Sequence, residues 1–327
     1  MTAAEAHDLV LRVTDLTVRI ETREGAADAL DSVSLEVHAG EVLALVGESG
    51  SGKSLAALSI IGLHPRVATI TGGDIELHGR SLVGLTSRQW SSVRGAEIAM
   101  ILQDPLTALN PVLTIGEQVG EGTRLHDGLR GQRLRNRVLE LLDSVQIPQP
   151  AERIGDFPHQ FSGGMRQRVV GAIGIACNPS LLIADEPTTS LDVTIEDAYL
   201  DLLKALQEET GVGILFITHD FGIVGRMADR VAVMYSGRIV ETGPADRIIA
   251  WPAHPYTEAL VASVPDLDAP VPDRLVSIDG APPGLFEEKP ACHFAPRCPY
   301  VMDRCWSETP PDVLIEPGHV SKCWKHA

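Results

Sequence analysis

The sequence predicts an α/β fold with a mixed-sheet core, an antiparallel β layer, a helical subdomain and a small cysteine-rich C-terminal extension. Three observations lead to this prediction. The apolar run Val42–Val46 leads into a glycine-rich loop and then into the start of a helix. Alternating apolar and polar residues precede that loop, whereas residues 115–177 have helical periodicity. Of the 22 prolines in the chain, 14 lie in residues 244–327, which excludes continuous helix or sheet there.

Composition excludes several classes of protein. The chain has 327 residues and a formal net charge of −17. This negative net charge argues against nucleic acid or an anionic lipid surface as the main partner, because both bind positively charged protein surfaces. No apolar run approaches the roughly 20 residues of a membrane span, and residues 1–7 have neither a basic nor an apolar leader region. We therefore expect a cytosolic chain whose membrane role depends on partner subunits.

The antiparallel layer is predicted from residue alternation. Val10–Ile20 and Ser32–Val37 alternate between apolar and polar residues ahead of the glycine-rich loop, and residues 72–79 supply a short strand between turn residues. A later apolar strand, Glu97–Leu102, runs directly into Gln103 and is followed by a turn. A polar residue directly after a strand and before a turn lies where it can reach the edge of a binding site. Gln103 is therefore a candidate site residue.

The middle of the chain predicts a helical subdomain over about residues 115–177. Ser162 is a candidate N-cap for the last helix of this segment. We therefore predict one domain over residues 8–245 that includes this subdomain, followed by the C-terminal extension over residues 246–327. The apolar residues that recur at helical spacing on one face are Leu134, Val138, Leu141, Leu142 and Val145.

The loop after Val42–Val46 has a sequence suited to binding phosphate. Residues 47–54 read GESGSGKS, which fits the pattern G-x-x-x-x-G-K-[ST] in its required place between a strand and a helix. Glycines allow successive backbone N–H groups and a helix N-terminus to face an anion. Lys53 would reach the β- and γ-phosphates of a nucleoside triphosphate, and Ser54 would offer its hydroxyl to Mg²⁺. The predicted nucleotide-binding residues of this loop are Gly47, Ser49, Gly50, Ser51, Gly52, Lys53 and Ser54.

Two further apolar strands end in residues that can perform chemistry. Leu181–Glu186 ends in two carboxylates, of which Asp185 can hold Mg²⁺ and Glu186 can polarise an attacking water. Adjacent carboxylates can instead be ordinary solvated charges, but a phosphate loop in the same chain favours the catalytic interpretation. The strand Gly213–Thr218 ends at His219. A histidine at a strand end is by itself more often structural, so its assignment depends on the other motifs.

Together these motifs resemble the nucleotide-binding subunit of an ABC transporter. Residues 10–245 carry them in the order of that family, which is far more specific than a lone phosphate loop. The first strand departs from the family pattern because it offers Ile20 where an aromatic ring usually stacks on adenine. The matches are Walker A at 47–54, the Q-loop at Gln103, the signature at Ser162-Gly163-Gly164-Met165, Walker B at 181–185 followed by Glu186, the D-loop at 190–192 and the H-switch at His219.

The resemblance implies an ATPase that uses ATP and Mg²⁺. It assigns catalytic roles to Glu186, His219, Lys53 and Gln103. It places Mg²⁺ on Ser54, Gln103 and Asp185. In this family two such domains sandwich two ATP molecules, so the signature residues of one domain bind the nucleotide on the Walker A motif of the other. The signature residues that would do so are Ser162, Gly163 and Gly164.

Other segments narrow the resemblance to the oligopeptide and dipeptide importer branch. Residues 103–111, residues 254–260 and the cysteine-bearing tail are similar to that branch. The similarity implies a subunit at the cytoplasmic face of the cell membrane that powers solute import by ATP-driven dimer closure. The implied partners are a second ATPase subunit in a heterodimer, two transmembrane permease subunits and an extracytoplasmic solute-binding protein, without nucleic acid. Nickel, glutathione and sugar importers share these motifs, so the solute stays open.

Two alternatives come from other functional classes. A soluble ABC ATPase in translation or repair would usually carry two cassettes or a long coiled coil, and this chain shows one cassette and no heptad stretch. A nucleotide sensor without catalysis is disfavoured by the presence of Glu186 and His219. The ATP-hydrolysing importer subunit is the function that we predict.

The cysteines of the C-terminal extension predict a metal centre. The spacing of the four thiols is C-x5-C-x6-C-x17-C, and a single centre would hold these proline-rich loops together. Four thiolates suit either zinc or a [4Fe-4S] cluster, and four unligated thiols are a further possibility. We predict the cluster, because the tail has no tight C-x-x-C knuckle and the branch that it resembles includes cluster-binding members. A structural role is expected, because the centre is distant in sequence from every ATP motif. The predicted ligands are Cys292, Cys298, Cys305 and Cys323.

Overall fold

The computed structural model describes residues 8–189, 191–264 and 278–327, so the D-loop residue Ser190 lies outside the described residues. The strands are β1 (Leu9–Thr22), β2 (Gly25–His38), β3 (Val42–Val46), β4 (Ala68–Leu77), β5 (Arg80–Ser81), β6 (Ile98–Ile101), β7 (Leu181–Asp185), β8 (Gly213–Thr218), β9 (Arg230–Tyr235), β10 (Arg238–Pro244), β11 (Val313–Glu316) and β12 (His319–Ser321). The α-helices are α1 (Lys53–Ile60), α2 (Ser87–Val93), α3 (Pro105–Ala108), α4 (Ile115–His126), α5 (Gly131–Ser144), α6 (Pro150–Arg153), α7 (Gly163–Ile175), α8 (Val193–Thr210), α9 (Phe221–Met227), α10 (Ala245–Ala250), α11 (Pro255–Ala262) and α12 (Arg304–Ser307). Short 3-10 turns cover Pro158–Gln160, Ala295–Arg297 and Trp324–His326.

The described chain divides into two compact units, each assembled from segments that are distant in sequence. The first unit takes residues 8–10, 37–41 and 83–216. The second unit takes the described parts of 11–36, 42–82 and 217–327. Each unit has its own share of the predicted site residues.

The antiparallel layer belongs mainly to the second unit. Its strand order is β2-β1-β4-β5. Strands β1 and β4 pair antiparallel, with Leu11 opposite Leu77 at one end and Ile20 opposite Ala68 at the other. Alternation buries one face, so that Val18 in β1 and Val33 in β2 have no exposed surface. The antiparallel β layer predicted from the sequence is confirmed.

The second unit also contains a mixed sheet in the order β11-β12-β10-β9-β3. Strand β3 runs parallel to β9, and β9 runs antiparallel to β10. Every residue of β3 is buried, as expected for a parallel strand covered on both faces. The hairpin β11–β12 comes from the C-terminal extension and pairs with β10, so the extension continues this sheet.

The first unit combines short parallel strands with helices. Strands β8, β7 and β6 are neighbours in that order, and β6 and β7 pair parallel from Ile98–Leu181 to Ile101–Ala184. Helix α4 begins in a capping box formed by Thr114 and Glu117. Helix α5 buries Val138, Leu141 and Leu142, the apolar face that the sequence predicts. No helix in the described part of the chain is long and apolar enough to cross a membrane.

Candidate functional site

The glycines of the Walker A loop, residues 47–54, are required by its backbone shape. Gly47 has φ +156°, and a Cβ atom there would lie 2.1 Å from the carbonyl oxygen of Met234. Gly52 has φ +110°, and a Cβ atom there would lie 2.8 Å from the side chain of Leu30. Both glycines have φ values in the region that L side chains rarely adopt. The loop therefore keeps this shape only with glycine at both positions.

The polar side chains of the loop differ in burial and in hydrogen bonding. Lys53 is only 5% exposed, and its Nζ donates hydrogen bonds to the carbonyl oxygens of Gly47 at 2.7 Å and Glu48 at 3.0 Å. The hydroxyl of Ser51 is buried and has no hydrogen-bond partner among the described residues. Ser49 and Ser54 are exposed. A ligand with several acceptor oxygens suits this combination of a lysine, backbone N–H groups and an unused hydroxyl.

Glu48 connects this loop to the C-terminal extension, a contact that sequence reasoning missed. Its backbone N–H donates a hydrogen bond of 2.7 Å to the hydroxyl of Tyr256, which is 208 residues away in the chain. Its carboxylate accepts two hydrogen bonds from Arg297, at 2.7 and 3.0 Å. Arg297 directly precedes Cys298, so the cysteine region, although distant in sequence as expected, is joined to the Walker A loop by hydrogen bonds. The structural role expected of the cysteines stays a prediction. Separation in sequence does not measure distance in a sheet-based fold.

Two strand-end residues of the first unit, Gln103 and Glu186, contact each other directly. The side-chain amide of Gln103 donates a hydrogen bond of 2.9 Å to Glu186 Oε2, and the hydroxyl of Thr189 donates to the same oxygen at 3.1 Å. Asp185 is the last residue of β7 and is 7% exposed. Glu186 has φ +44°, a left-handed conformation that turns the chain directly after the strand. The amide and the hydroxyl thus orient the carboxylate that the sequence assigns to water activation.

The signature residues lie at the exposed N-terminus of α7. Ser162 is the N-cap, and its hydroxyl accepts a hydrogen bond of 3.3 Å from the N–H of Met165. Gly163 is exposed with open space around it, whereas a Cβ on Gly164 would lie 2.6 Å from Ile195. An exposed helix N-terminus with small residues can approach an anion held by another molecule.

His219 follows β8 and is exposed. It belongs to the second unit, together with the Walker A loop, whereas Gln103, Asp185, Glu186 and the signature belong to the first. That the Walker A loop, His219 and the strand-end residues Gln103, Asp185 and Glu186 act on one nucleotide stays a prediction. That the signature acts on the nucleotide of a partner subunit is a prediction as well.

The four cysteines of the C-terminal extension line one small cavity together with Phe294 and Met302. Burial raises the pKa of Cys292 and Cys298 above the ordinary thiol value and raises the pKa of Cys323 to about 11. Among the described residues, however, no group of three or more histidine, cysteine or acidic side chains is arranged to hold a metal ion. The metal-binding character predicted for the extension is therefore not supported.

Comparison with known proteins decides the family. Residues 30–189 match the ABC transporter family, and residues 240–305 match the C-terminal region of oligopeptide/dipeptide transporters. A putative peptide import ATP-binding protein of Brucella abortus (strain 2308) is 47% identical over 314 residues, which cover 96% of this chain and 94% of that protein. The chain belongs to the ABC transporter family. The dipeptide transport ATP-binding protein DppD of Bacillus subtilis (strain 168) is 46% identical over 316 residues, again covering 96% of this chain and 94% of that protein.

Solved structures agree with this family assignment. The dimeric post-hydrolysis structure of the ATP-binding cassette MJ0796 with ADP and phosphate is 29% identical, with a TM-score of 0.65, and the match covers 72% of this chain and 98% of that one. The predicted ABC ATPase fold is confirmed. The chain is an ATP-hydrolysing ABC transporter subunit and not a translation or repair factor.

Proposed function

We propose that this ABC transporter subunit powers the import of oligopeptides, dipeptides or a related solute across the cytoplasmic membrane. The observation that carries the proposal is the match of residues 240–305 to the oligopeptide/dipeptide transporter C-terminal region, in a chain whose Walker A loop has the geometry described above. Its partners are a second ATPase subunit, two transmembrane permease subunits and an extracytoplasmic solute-binding protein. The subunit is peripheral at the cytoplasmic face of the membrane and acts as the ATPase domain 8–245 followed by the C-terminal extension 246–327.

We assign a chemical role to each of the predicted site residues. Lys53 leaves the loop carbonyls that it now contacts and pairs with the β- and γ-phosphates of ATP. Glu186 orients the attacking water, while Gln103 holds its carboxylate through the 2.9 Å hydrogen bond. His219 contacts the γ-phosphate. The hydroxyl of Ser54, the amide of Gln103 and the carboxylate of Asp185 are hard oxygen donors that suit Mg²⁺, which neutralises phosphate charge when bound.

The signature residues act on the nucleotide of the partner subunit. Ser162 and Gly163 are exposed at the N-terminus of α7, where the helix dipole and free N–H groups favour an anion. The binding site for ATP on one subunit would therefore be completed by the Ser162-Gly163-Gly164 segment of the other. Binding of ATP closes such a dimer, and hydrolysis reopens it.

Reconstituted transport tests the proposed function. The chain is assembled in lipid vesicles with its permease and second ATPase subunits, ATP is enclosed on the ATPase side, and the binding protein is added outside. Labelled di- to pentapeptides should accumulate and should raise the ATPase rate. A parallel assembly carrying Glu186→Gln should bind ATP without accumulating peptide. Uptake of Ni²⁺ or a disaccharide in place of every peptide would overturn the solute class, and hydrolysis without any uptake would overturn the import role.

We also propose that Cys292, Cys298, Cys305 and Cys323 hold one [4Fe-4S] cluster, with zinc as the alternative. All four line the same cavity, which supports a common centre. A four-iron cluster has four thiolate ligands, which matches the number of cysteines that line the cavity. When bound, the cluster would hold the loops of the extension together. Anaerobic purification with elemental analysis tests this: about four irons and four sulfides per chain support the cluster, whereas one zinc without sulfide overturns it.

A further inference from the structure

The phosphate-binding loop of this ATPase carries a carboxylate of its own. Glu48 is the second residue of the Walker A loop, directly after Gly47. A nucleoside triphosphate brings several negative charges to this loop, and like charges at short range repel each other strongly where water is partly excluded. An unpaired carboxylate here would therefore oppose the binding of the substrate.

Arg297 of the C-terminal extension pairs with that carboxylate. Two guanidinium nitrogens donate to the two carboxylate oxygens of Glu48, a fork geometry that fixes direction as well as distance. The Arg297 side chain is 4% exposed, and that of Glu48 is 27% exposed. Arg297 is also held by the carbonyl oxygen of Asp279 at 2.9 Å and by the hydroxyl of Tyr235 at 3.3 Å. The arginine is thus oriented before any nucleotide arrives.

A second contact fixes the backbone at the same residue. The hydroxyl of Tyr256 accepts the N–H of Glu48, and the carbonyl oxygen of Glu48 accepts a hydrogen bond from Lys53. Tyr256 is fully buried, and its ring packs against Tyr235 with centroids 4.6 Å apart and against Phe294 at 5.4 Å. Phe294 lies three residues before Arg297, so one aromatic cluster supports both contacts.

We propose that Arg297 is a positioning residue of the ATPase, which neutralises Glu48 and fixes it so that the Walker A loop can accept a triphosphate. The C-terminal extension is thereby a part of the nucleotide site. Tyr256 assists by holding the backbone of the same residue. The inference rests on the Walker A role proposed above, and the experiment separates the failure of one from the failure of the other.

Binding of MgATP to the full-length chain is the direct test, with the variants Arg297→Met, Glu48→Gln and the double variant. Arg297→Met should raise the Kd for MgATP roughly tenfold, because it leaves the Glu48 charge uncompensated. The double variant should return the Kd to within about threefold of the unaltered chain, since the opposing charge is gone. Glu48→Gln alone should bind MgATP at least as tightly as the unaltered chain. A purely structural role of Arg297 predicts no rescue by Glu48→Gln.

Arg12→Met is the matched control. Arg12 also pairs with a glutamate of the second unit, Glu36, at 2.8 Å, but both of these side chains are exposed, whereas that of Arg297 is buried. Arg12→Met removes a positive charge by the same substitution as Arg297→Met, and it should leave the Kd for MgATP unchanged. The loss caused by Arg297→Met should also be larger for ATP than for ADP, because the repulsion grows with the charge of the ligand.

The outcomes separate cleanly. No detectable binding of MgATP by the unaltered chain would overturn the Walker A role itself. Normal binding that Arg297→Met leaves unchanged, or a double variant as weak as Arg297→Met, would overturn the positioning role alone. If Arg297→Met fails to fold, Glu48→Gln decides, because weaker binding by that variant contradicts the proposal and equal or tighter binding supports it.

Discussion

The Walker A loop and the C-terminal extension reach an ordered structure by different means. The loop follows β3, whose five residues are all buried, and its shape is set by glycines that no other residue can replace. The extension has only short helices and strands in its described residues. It is ordered by single side chains that enter a hydrophobic core cluster of the second unit, such as Phe294, which is 2% exposed. A segment without long regular elements can therefore still contribute to an active loop.

A buried carboxylate shows how the extension is attached. Glu241 in β10 is 1% exposed and accepts hydrogen bonds from the backbone N–H groups of Ala253 and His254. His319 Nε2 lies 2.7 Å from the same side chain. One side chain thus connects β10 with the start of α11 and with β12. Polar anchors of this kind depend on exact partners, whereas the apolar packing of β3 depends mainly on volume.

The largest effect is expected from a substitution in the first unit, outside both the Walker A loop and the C-terminal extension. Glu186→Gln should lower the hydrolysis rate of the assembled transporter roughly 100-fold or more, because water orientation is lost while phosphate binding is kept. The Kd for MgATP should stay unchanged, and the ATP-closed dimer should accumulate. Single-turnover kinetics and size-exclusion chromatography with MgATP measure both. Glu209→Gln, at the exposed end of α8, is the control, and near-normal turnover by Glu186→Gln would assign the catalytic role elsewhere.

The second prediction tests whether the signature serves the other subunit. Ser162→Arg should block hydrolysis at the Walker A motif of the partner and spare the site on its own subunit. Trapping of labelled nucleotide in a heterodimer with distinguishable sites would locate the loss. Thr114→Arg is the control, because it removes a helix N-cap outside the signature and should cost only about 1 kcal/mol of stability. Loss at the site of the altered subunit itself would contradict the sandwich arrangement.

Sequence predicted the elements whose signal is local. Val42–Val46 and Gly213–Thr218 have the predicted bounds, and Gln103 meets Glu186 because each follows a strand and the two strands run parallel. The contact between Glu48 and Arg297 could not be predicted, since 249 residues separate the partners. Glu48 occupies a position that the Walker A pattern leaves open, and Arg297 belongs to no motif. Residues 254–260 were recognised only as a resemblance, and the role of Tyr256 required the fold.

The sequence also left the hairpin β11–β12 unpredicted. Its strands have four and three residues, too short for a period-2 pattern, and they gain their order from pairing with β10. The four cysteines share one cavity, but among the described residues no group of three or more of them is arranged to hold a metal ion. Prediction from local sequence therefore fails in the extension, because the extension is ordered by contacts with residues that are distant in sequence.

A third prediction sharpens the link between the two regions. Cys298→Ser should loosen the extension and weaken assembly of the transporter more than it slows hydrolysis. Because Cys298 follows Arg297, we also expect the Kd for MgATP to rise by roughly threefold. Limited proteolysis and nucleotide titration measure the two effects. Cys177→Ser, at a half-buried cysteine outside the extension, should change neither. An intact extension in Cys298→Ser would show that this thiol is dispensable for its order.

The smallest expected effect concerns acid stability of the extension. Burial lowers the pKa of His254 to about 3 from its ordinary 6.5, and the neighbouring His326 acts in the same direction. Below pH 6.5 His254 is protonated in the unfolded chain, whereas in the folded chain it stays neutral down to about pH 3. The free energy of unfolding therefore falls as the pH falls from 6.5 to 3.

Between pH 7 and pH 6 this histidine should account for a loss of roughly 0.7 kcal/mol in the free energy of unfolding. His254→Asn keeps an N-cap for α11 and should remove that part of the pH dependence. Urea unfolding at the two pH values measures the difference between the variant and the unaltered chain. Parallel losses in both would show that the pKa of His254 does not change on unfolding.

The pairing of β12 with β10 makes the last residues of the chain a safeguard against self-association. The N–H of Lys322 bonds to the carbonyl oxygen of Val240, and Thr242 lies opposite Val320. A chain that stopped near residue 245 would expose this edge of β10 together with apolar side chains that the extension now covers. Uncovered strand edges recruit further strands. A premature stop late in the gene would thus yield a protein that is both inactive and prone to aggregate. Degradation of such products would protect the cell from aggregation.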